Sequence, residues 1–379
     1  MSSRSFTPRA VSWCLLALAL GACQAVAGIE DRKLDPKLSP RVDSEQCKDY
    51  CSVVMDACTG DDAVYTNLNQ CLSICAALDP GDPEEINNEN TVACRAREAE
   101  NAKDEPKGYC RSAGPGGNGK CGSDCEAYCQ IFPQICPKNY EYSTSEQCLR
   151  ACSALTEQDS YNLEDDHGGD TIECRLVHTS SASVDPTGHC AHAPLRPSDP
   201  WCVGDAKQPP TCEQYCDIEL AACGDGEFAQ YESPEQCLAV CEALPPGVNP
   251  DQAANTMACR RYHSFNSITS PAVHCFHSGP TGDGHCGDTR KAAGGFTTNC
   301  ESYCALLVQA CPTQFDEAMG DADGCMAACV ELPEADPESH YSVENAAKSS
   351  GLNCRVLYTT RAFEDSAACA SAVGGGECK

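Results

Sequence analysis

The stretch Cys125-Glu-Ala-Tyr-Cys129, followed by Cys136, Cys148-Leu-Arg-Ala-Cys152 and Cys174-Arg175, is one copy of a pattern that the chain writes four times. The copies open at Cys47-Lys-Asp-Tyr-Cys51, Cys125-Glu-Ala-Tyr-Cys129, Cys212-Glu-Gln-Tyr-Cys216 and Cys300-Glu-Ser-Tyr-Cys304. Each opening is followed by a third cysteine, at Cys58, Cys136, Cys223 and Cys311. A second CxxxC comes next, at Cys71/Cys75, Cys148/Cys152, Cys237/Cys241 and Cys325/Cys329. Then stand Cys94-Arg95, Cys174-Arg175, Cys259-Arg260 and Cys354-Arg355, and two last cysteines close each copy: Cys110/Cys121, Cys190/Cys202, Cys275/Cys286 and Cys369/Cys378. Self-similarity at this period is the mark of a repeat architecture.

The spacing inside a copy is helical. Cysteines at relative positions 0, 4 and 11 fall within roughly 40° of one another on an α-helix, so the three thiols share a face. The second CxxxC does the same on a second helix, and Leu78, Leu155, Leu244 and Leu332 extend its buried side. Four residues before its first cysteine stand Asn67, Thr144, Ser233 and Asp321, all good N-caps. Asn90, Asp170, Asn255 and Ser350 stand in the same relation to the Cys-Arg pair and predict the start of a third helix. The closing cysteines bracket Gly- and Pro-rich sequence, read as an irregular tail. The expected fold is therefore mostly α and disulfide-rich: four tandem small helical modules of about three short helices, over 44–122, 123–205, 206–289 and 290–379.

Composition agrees. Of 379 residues 34 are Cys, while aromatic content is 6%, too little for one large core. Several small modules stapled covalently fit better. The formal charge of −30 disfavours nucleic acid as a partner. Acidic pairs such as Asp61-Asp62 complete no calcium loop. Residues 1–22 read as a signal peptide: Arg4 and Arg9 precede a short apolar run, Val11 to Leu20, too short to span a bilayer. Without Cys14, which leaves with the leader, and Cys23, the cysteines divide into four sets of eight.

Leu20-Gly21-Ala22-Cys23 resembles the lipobox of bacterial lipoproteins, which implies lipidation of Cys23 and attachment to the membrane through that lipid. Residues 23–43 then form a tether. Gln24 in place of Asp implies the outer membrane, on its periplasmic face or at the cell surface. The chain as a whole resembles predicted cysteine-rich outer-membrane lipoproteins of predatory soil bacteria, on segments such as Asp170-Thr-Ile-Glu-Cys-Arg175 with His189-Cys190-Ala-His192, and Asn255-Thr-Met-Ala-Cys-Arg260 with His274-Cys275-Phe-His277.

Eight cysteines in a unit allow many pairings, and spacing does not choose among them. The two CxxxC segments, however, resemble the twin-CxxxC hairpin of small import chaperones, bridged outer to outer and inner to inner. Applied to the first unit, the resemblance implies Cys47–Cys75 and Cys51–Cys71, with Cys58 then reaching Cys94 and Cys110 closing on Cys121. The same scheme gives Cys125–Cys152, Cys129–Cys148, Cys136–Cys174 and Cys190–Cys202 in the second unit. In the third it gives Cys212–Cys241, Cys216–Cys237, Cys223–Cys259 and Cys275–Cys286. In the fourth it gives Cys300–Cys329, Cys304–Cys325, Cys311–Cys354 and Cys369–Cys378. Bridges worth about 2–4 kcal/mol each offset a thin core.

No nucleophile elbow, phosphate loop or triad stands out, so no catalytic residue is named and an enzyme is not expected. No CxxC or CxxCH motif occurs, and no cofactor is expected. The repeated Tyr50, Tyr128, Tyr215 and Tyr303 read as core residues with a satisfied hydroxyl, and the repeated Arg95, Arg175, Arg260 and Arg355 as partners of acidic groups or carbonyls. The histidines remain. His178, His189 and His192 in the second unit, and His263, His274 and His277 in the third, could gather for zinc or copper. The first and fourth units carry Glu98 and Ser112, and Tyr358 and Ser371, in two of these positions. The leading expectation is a lipid-anchored, non-enzymatic binding, adhesion or structural scaffold of the cell envelope, facing an extracellular or periplasmic ligand. Metal handling through the histidines is the alternative, and an exported enzyme or enzyme inhibitor a third.

Overall fold

Ser44, Ser123 and Thr211 each stand in extended conformation and accept a backbone N–H three residues on, which starts the first helix of three of the units. Glu126 and Gln214 return the bond to the cap's own N–H, completing capping boxes. The computed structural model describes residues 39–379, apart from 86, 156–160, 162, 164–167, 197–200, 203–209, 250, 288–297 and 337–338. The expected signal peptide and Cys23 lie outside the described residues. The first unit holds α1 (Glu45–Ala57), α2 (Leu68–Ala77), α3 (Val92–Ala102) and α4 (Pro106–Ala113). The second holds α5 (Asp124–Ile135), α6 (Ser145–Cys152), α7 (Ile172–Ala182) and α8 (Pro186–His189). The third holds α9 (Cys212–Cys223), α10 (Pro234–Glu242), α11 (Met257–Ser267) and α12 (Pro271–Ser278). The fourth holds α13 (Cys300–Ala310), α14 (Ala322–Cys329), α15 (Leu352–Ala362) and α16 (Cys369–Ala372). Among the described residues there is no β-strand, and the protein is mostly helical, disulfide-rich and built of many short helices.

Three expectations need correction. The tail is not wholly irregular, because it opens with a fourth helix. Pro106, Pro186 and Pro271 occupy the first turn of that helix in three units, where a fixed φ and a missing N–H are no handicap. The third helix starts one residue later than predicted. Thr91, Thr171 and Thr256 are its caps, and Asn90, Asp170 and Asn255 instead accept from the arginine of the Cys-Arg pair. In the fourth unit Gly351 takes the cap position without a side-chain bond, and Glu334 accepts from Asn353 N instead.

The third correction concerns the bridges. Cys47 pairs with Cys75 and Cys51 with Cys71, and the corresponding cysteines pair in the other units. Cys58, however, pairs with Cys110 and not Cys94, and Cys94 pairs with Cys121. Likewise Cys136–Cys190 and Cys174–Cys202 replace Cys136–Cys174 and Cys190–Cys202. Cys223–Cys275 and Cys259–Cys286 replace Cys223–Cys259 and Cys275–Cys286. Cys311–Cys369 and Cys354–Cys378 replace Cys311–Cys354 and Cys369–Cys378. The reason is the level at which the helices meet. Tyr50 and Arg95 hold adjacent tail residues, which sets the first turn of α3 beside the N-terminal half of α1. Cys58, the cap that ends α1, is then about 12 Å further along the axis from Tyr50. The unexpected α4 folds back to deliver Cys110 there.

Each repeated tyrosine, and the repeated arginine of the first three units, serves the tail. Tyr50, Tyr128, Tyr215 and Tyr303 donate to the carbonyls of Ala113, Ala193, Ser278 and Ala372. Arg95 donates to the next two carbonyls, Gly114 (2.9 Å) and Pro115 (3.0 Å). Arg175 does so at Pro194 and Leu195, and Arg260 at Gly279 and Pro280. These three guanidinium groups are fully buried, and burial lowers the pKa of Arg95 and Arg260 from the ordinary value. In the fourth unit Arg355 lies so close to Gly374 (φ +91°) that a Cβ there would collide with the guanidinium.

The units pack on one another through shared apolar core, which runs from the first unit through the second to Ile218, Phe265 and Ile268 of the third and joins Leu306 of the fourth to the third, and through polar contacts. Gln134 Nε2 donates to Ala77 O, 2.6 Å, from second unit to first. Arg261 of α11 pairs with Asp170 at 2.6 Å, and Arg175 reaches the same carboxylate at 2.7 Å. Burial would raise the Asp170 pKa, but Arg261 and Arg175 outweigh it and hold the carboxyl below its usual value. Arg361 makes a bidentate contact with Glu232, joining fourth unit to third.

Two outcomes follow from this arrangement. Proteolysis of the unreduced chain should release peptides linked Cys58–Cys110 and Cys94–Cys121, and recovery of Cys58–Cys94 would contradict the fold. Tyr128→Phe strands the Ala193 carbonyl in the interior, so urea unfolding should show a loss of about 1–3 kcal/mol.

Candidate metal centre

The cysteine of each Cys-Arg pair lies in the first turn of the third helix and bridges to the last cysteine of the unit. A residue four positions on lies one turn further along that helix, on the same side. The residues one before and two after the seventh cysteine come from the fourth helix. Four columns of the repeat therefore meet beside one disulfide: these three and the residue before the last cysteine.

In the third unit the columns hold His263, His274, His277 and His285. His263 Nδ1 and His274 Nδ1 are 3.0 Å apart. The ring of His277 lies 4.9 Å from that of His263 and 5.5 Å from that of His274, centroid to centroid. One nitrogen from each of these three rings falls within 4.8 Å of the others. His263 and His277 are buried, and His274 is half-buried. His263 Nε2 faces the Gln252 carbonyl at 3.3 Å. A carbonyl only accepts, so Nε2 carries the proton and Nδ1 presents its lone pair toward His274. Burial, then the neighbouring His285 and Arg196, lower the pKa of His274 and favour its neutral form. His285 stacks on His277, with centroids 3.7 Å apart.

The second unit repeats the 3.0 Å Nδ1–Nδ1 contact between His178 and His189. Its third ring, His192, is more open: 5.1 Å from His178 and 6.4 Å from His189. Trp201 stands where the third unit has His285, 5.5 Å from His192. The first unit fills the same columns with Glu98, Tyr109, Ser112 and Lys120. Lys120 Nζ lies 3.7 Å from Glu98 and 4.2 Å from the centre of the Tyr109 ring. The fourth unit has Tyr358, Ala368, Ser371 and Glu377. The fold forms without the imidazoles, so they are not needed to build it. Cys174 with Cys202, and Cys259 with Cys286, also lie within reach of a histidine, but as disulfides they offer no thiolate.

All six predicted histidines are thus brought together in two groups of three. His285 was missed, because its column holds Lys120, Trp201 and Glu377 elsewhere and shows a pattern only once the columns are known to meet. Glu219 was missed too. It replaces Val54, Phe132 and Leu307 of the other units and is fully buried, accepting 2.7 Å from Ser264 Oγ. Burial pushes its carboxyl up to about 7, against hydrogen bonds from Ser264 and Ser278 and the charge of Arg260.

These features define a class: a cysteine-rich helical repeat protein whose units share one framework and differ in the groups gathered beside one bridge. The BfoA family C-terminal domain matches residues 22–124 and 195–289, just over half of the chain, and the chain belongs to that family. Aurasperone B biosynthesis cluster protein A of Aspergillus niger is 34% identical over 84 residues, 22% of this chain and 25% of the relative. Bifonsecin B biosynthesis cluster protein A of Aspergillus brasiliensis is 31% identical over 121 residues, 31% of this chain and 36% of the relative. The chain thus spans about a quarter to a third of the length of these curated relatives. They are fungal, and the expected likeness to bacterial outer-membrane lipoproteins finds no support among them. No solved structure matches the chain.

Glu219 makes stability depend on pH. Its folded pKa, about 7, lies above the ordinary glutamate value of 4.5, so the folded chain binds more protons between those values. Stability should therefore be highest below pH 4.5 as far as this group is concerned, fall as pH rises to about 7, and level off above. Urea unfolding at pH 5 and pH 8 should show Glu219→Gln more stable than the natural chain at pH 8 by a few kcal/mol, with most of that gain absent at pH 5.

Proposed function

We propose that this chain is an exported, non-enzymatic binding scaffold of the cell envelope. The observation that carries the reading is that every cysteine from Cys47 to Cys378 is engaged in one of sixteen bridges. Such a set forms and persists in an oxidising compartment, which supports export. The contrast among the four units supports binding over catalysis. One place in the fold carries a lysine–glutamate pair, two imidazole groups and a tyrosine–serine set in turn, as suits a framework that presents different surfaces. Contacts such as Arg261–Asp170 and Arg361–Glu232 hold those surfaces at set distances, which favours simultaneous engagement of a repetitive ligand outside the cell.

The anchor in this reading is a lipid on Cys23. Among the described residues no helix is long and apolar enough to cross a membrane. The fungal relatives are named for biosynthesis clusters, and a non-catalytic scaffold is compatible with membership of such a cluster. Denatured but unreduced protein from the exporting host should contain no reactive thiol, and reduction should raise its mass by ~32 Da, two hydrogens per bridge. Free thiols in the exported chain would overturn the scaffold reading. In cell fractions the natural chain should sediment with membranes and Cys23→Ser should be soluble. Membrane retention of the variant would overturn the lipid anchor.

A further inference from the structure

We infer that the third unit holds one Cu(II) ion between His263, His274 and His277, a site beyond the scaffold reading and independent of it. Donor type comes first. Three imidazoles and no thiolate or carboxylate select late first-row divalent ions, and among these the affinity order peaks at copper. Geometry comes second. With metal–nitrogen bonds of about 2.05 Å, neighbouring ligands are about 2.9 Å apart in a square plane and about 3.3 Å apart in a tetrahedron. The His263 and His274 Nδ1 atoms, at 3.0 Å, match the square-planar edge that Cu(II) prefers. Preorganisation comes third. The Gln252 carbonyl fixes the proton of His263 on Nε2, so its Nδ1 is already a donor atom aimed at the site. His274 joins as a ligand by carrying its proton on Nε2, with no change in its charge.

The other units act as internal controls. The second repeats the close nitrogen pair, but its third ring stands further from His189, and Trp201 takes the position of His285. Its three rings are set wider than those of the third unit, and so it is the weaker site. The first unit fills the corresponding space with an ion pair. The formal charge of −30 raises the local cation concentration around all four units.

The test is titration of the untagged full chain, bridges intact, with CuCl2 and separately with ZnCl2, followed by dialysis and metal analysis. The natural chain should retain one Cu(II) per molecule and bind Zn(II) more weakly, and the electron paramagnetic resonance spectrum should show coupling to imidazole nitrogens. His274→Ala and His277→Ala should each weaken Cu(II) binding more than roughly 100-fold, beyond the 10–100-fold that losing an outer partner costs. His189→Ala with His192→Ala should leave the tight site intact. Unchanged helicity and the absence of free thiols in each variant keep loss of the site apart from loss of the fold. No retained copper, copper binding unaffected by the third-unit variants, loss confined to the second-unit variant, or tighter Zn(II) than Cu(II) would each overturn the assignment.

Discussion

Three consecutive tail carbonyls in each of the first three units are taken by two buried side chains, the tyrosine of the opening CxxYC and the arginine of the Cys-Arg pair. The rest of the unit depends on that capture. A Gly- and Pro-rich tail has little apolar surface with which to bury itself, and its backbone groups need partners once water is excluded. The Arg95 guanidinium gives four N–H bonds, three to carbonyls and one to a side-chain oxygen, so its charge is solvated largely by the protein's own backbone. With the tail fixed, the fourth helix is held against the first and the last cysteine against the third helix. The bridges then lock an arrangement that the hydrogen bonds specify.

That order of causes explains why the histidines meet. Nothing about an imidazole draws His263 toward His274. They converge because a third helix, a fourth helix and the end of the tail must converge wherever the tyrosine and arginine do their work. The result is one constant junction with four different linings. Substitution there leaves the framework standing, as the four linings show. Glu219 is the exception, a polar group placed inside the apolar stripe of α9 and held neutral by its surroundings up to about pH 7.

Much of this was legible in the residues. The four N-caps of the second helix are Asn67, Thr144, Ser233 and Asp321, as the spacing predicts. The stripes of cysteine and leucine mark the faces that are buried. The third helix was displaced by one residue because Asn90-Thr91, Asp170-Thr171 and Asn255-Thr256 offer two good caps in a row, and only the demand of a distant arginine chooses between them. The fourth helix had a signal, a proline one residue after Glu105, Asp185 or Ser270, but its neighbourhood of glycine and proline obscured it. Bridge partners beyond the CxxxC pairs depend on how far along one helix another begins, a tertiary quantity that spacing does not encode.

The connectivity also bears on how the chain is made. Numbering the cysteines of a unit one to eight, the bonds run one to five, two to four, three to seven and six to eight, so no cysteine is joined to its neighbour in the sequence. A chain threading through a membrane meets oxidant one thiol at a time, and the first partner on offer is always the wrong one. In an exported chain, any bond formed between such neighbours must be undone by thiolate attack and exchanged, in each of the four units. A host that secretes this protein must supply shuffling as well as oxidation, and a compartment with an oxidase but no isomerase would accumulate scrambled isomers with every thiol consumed.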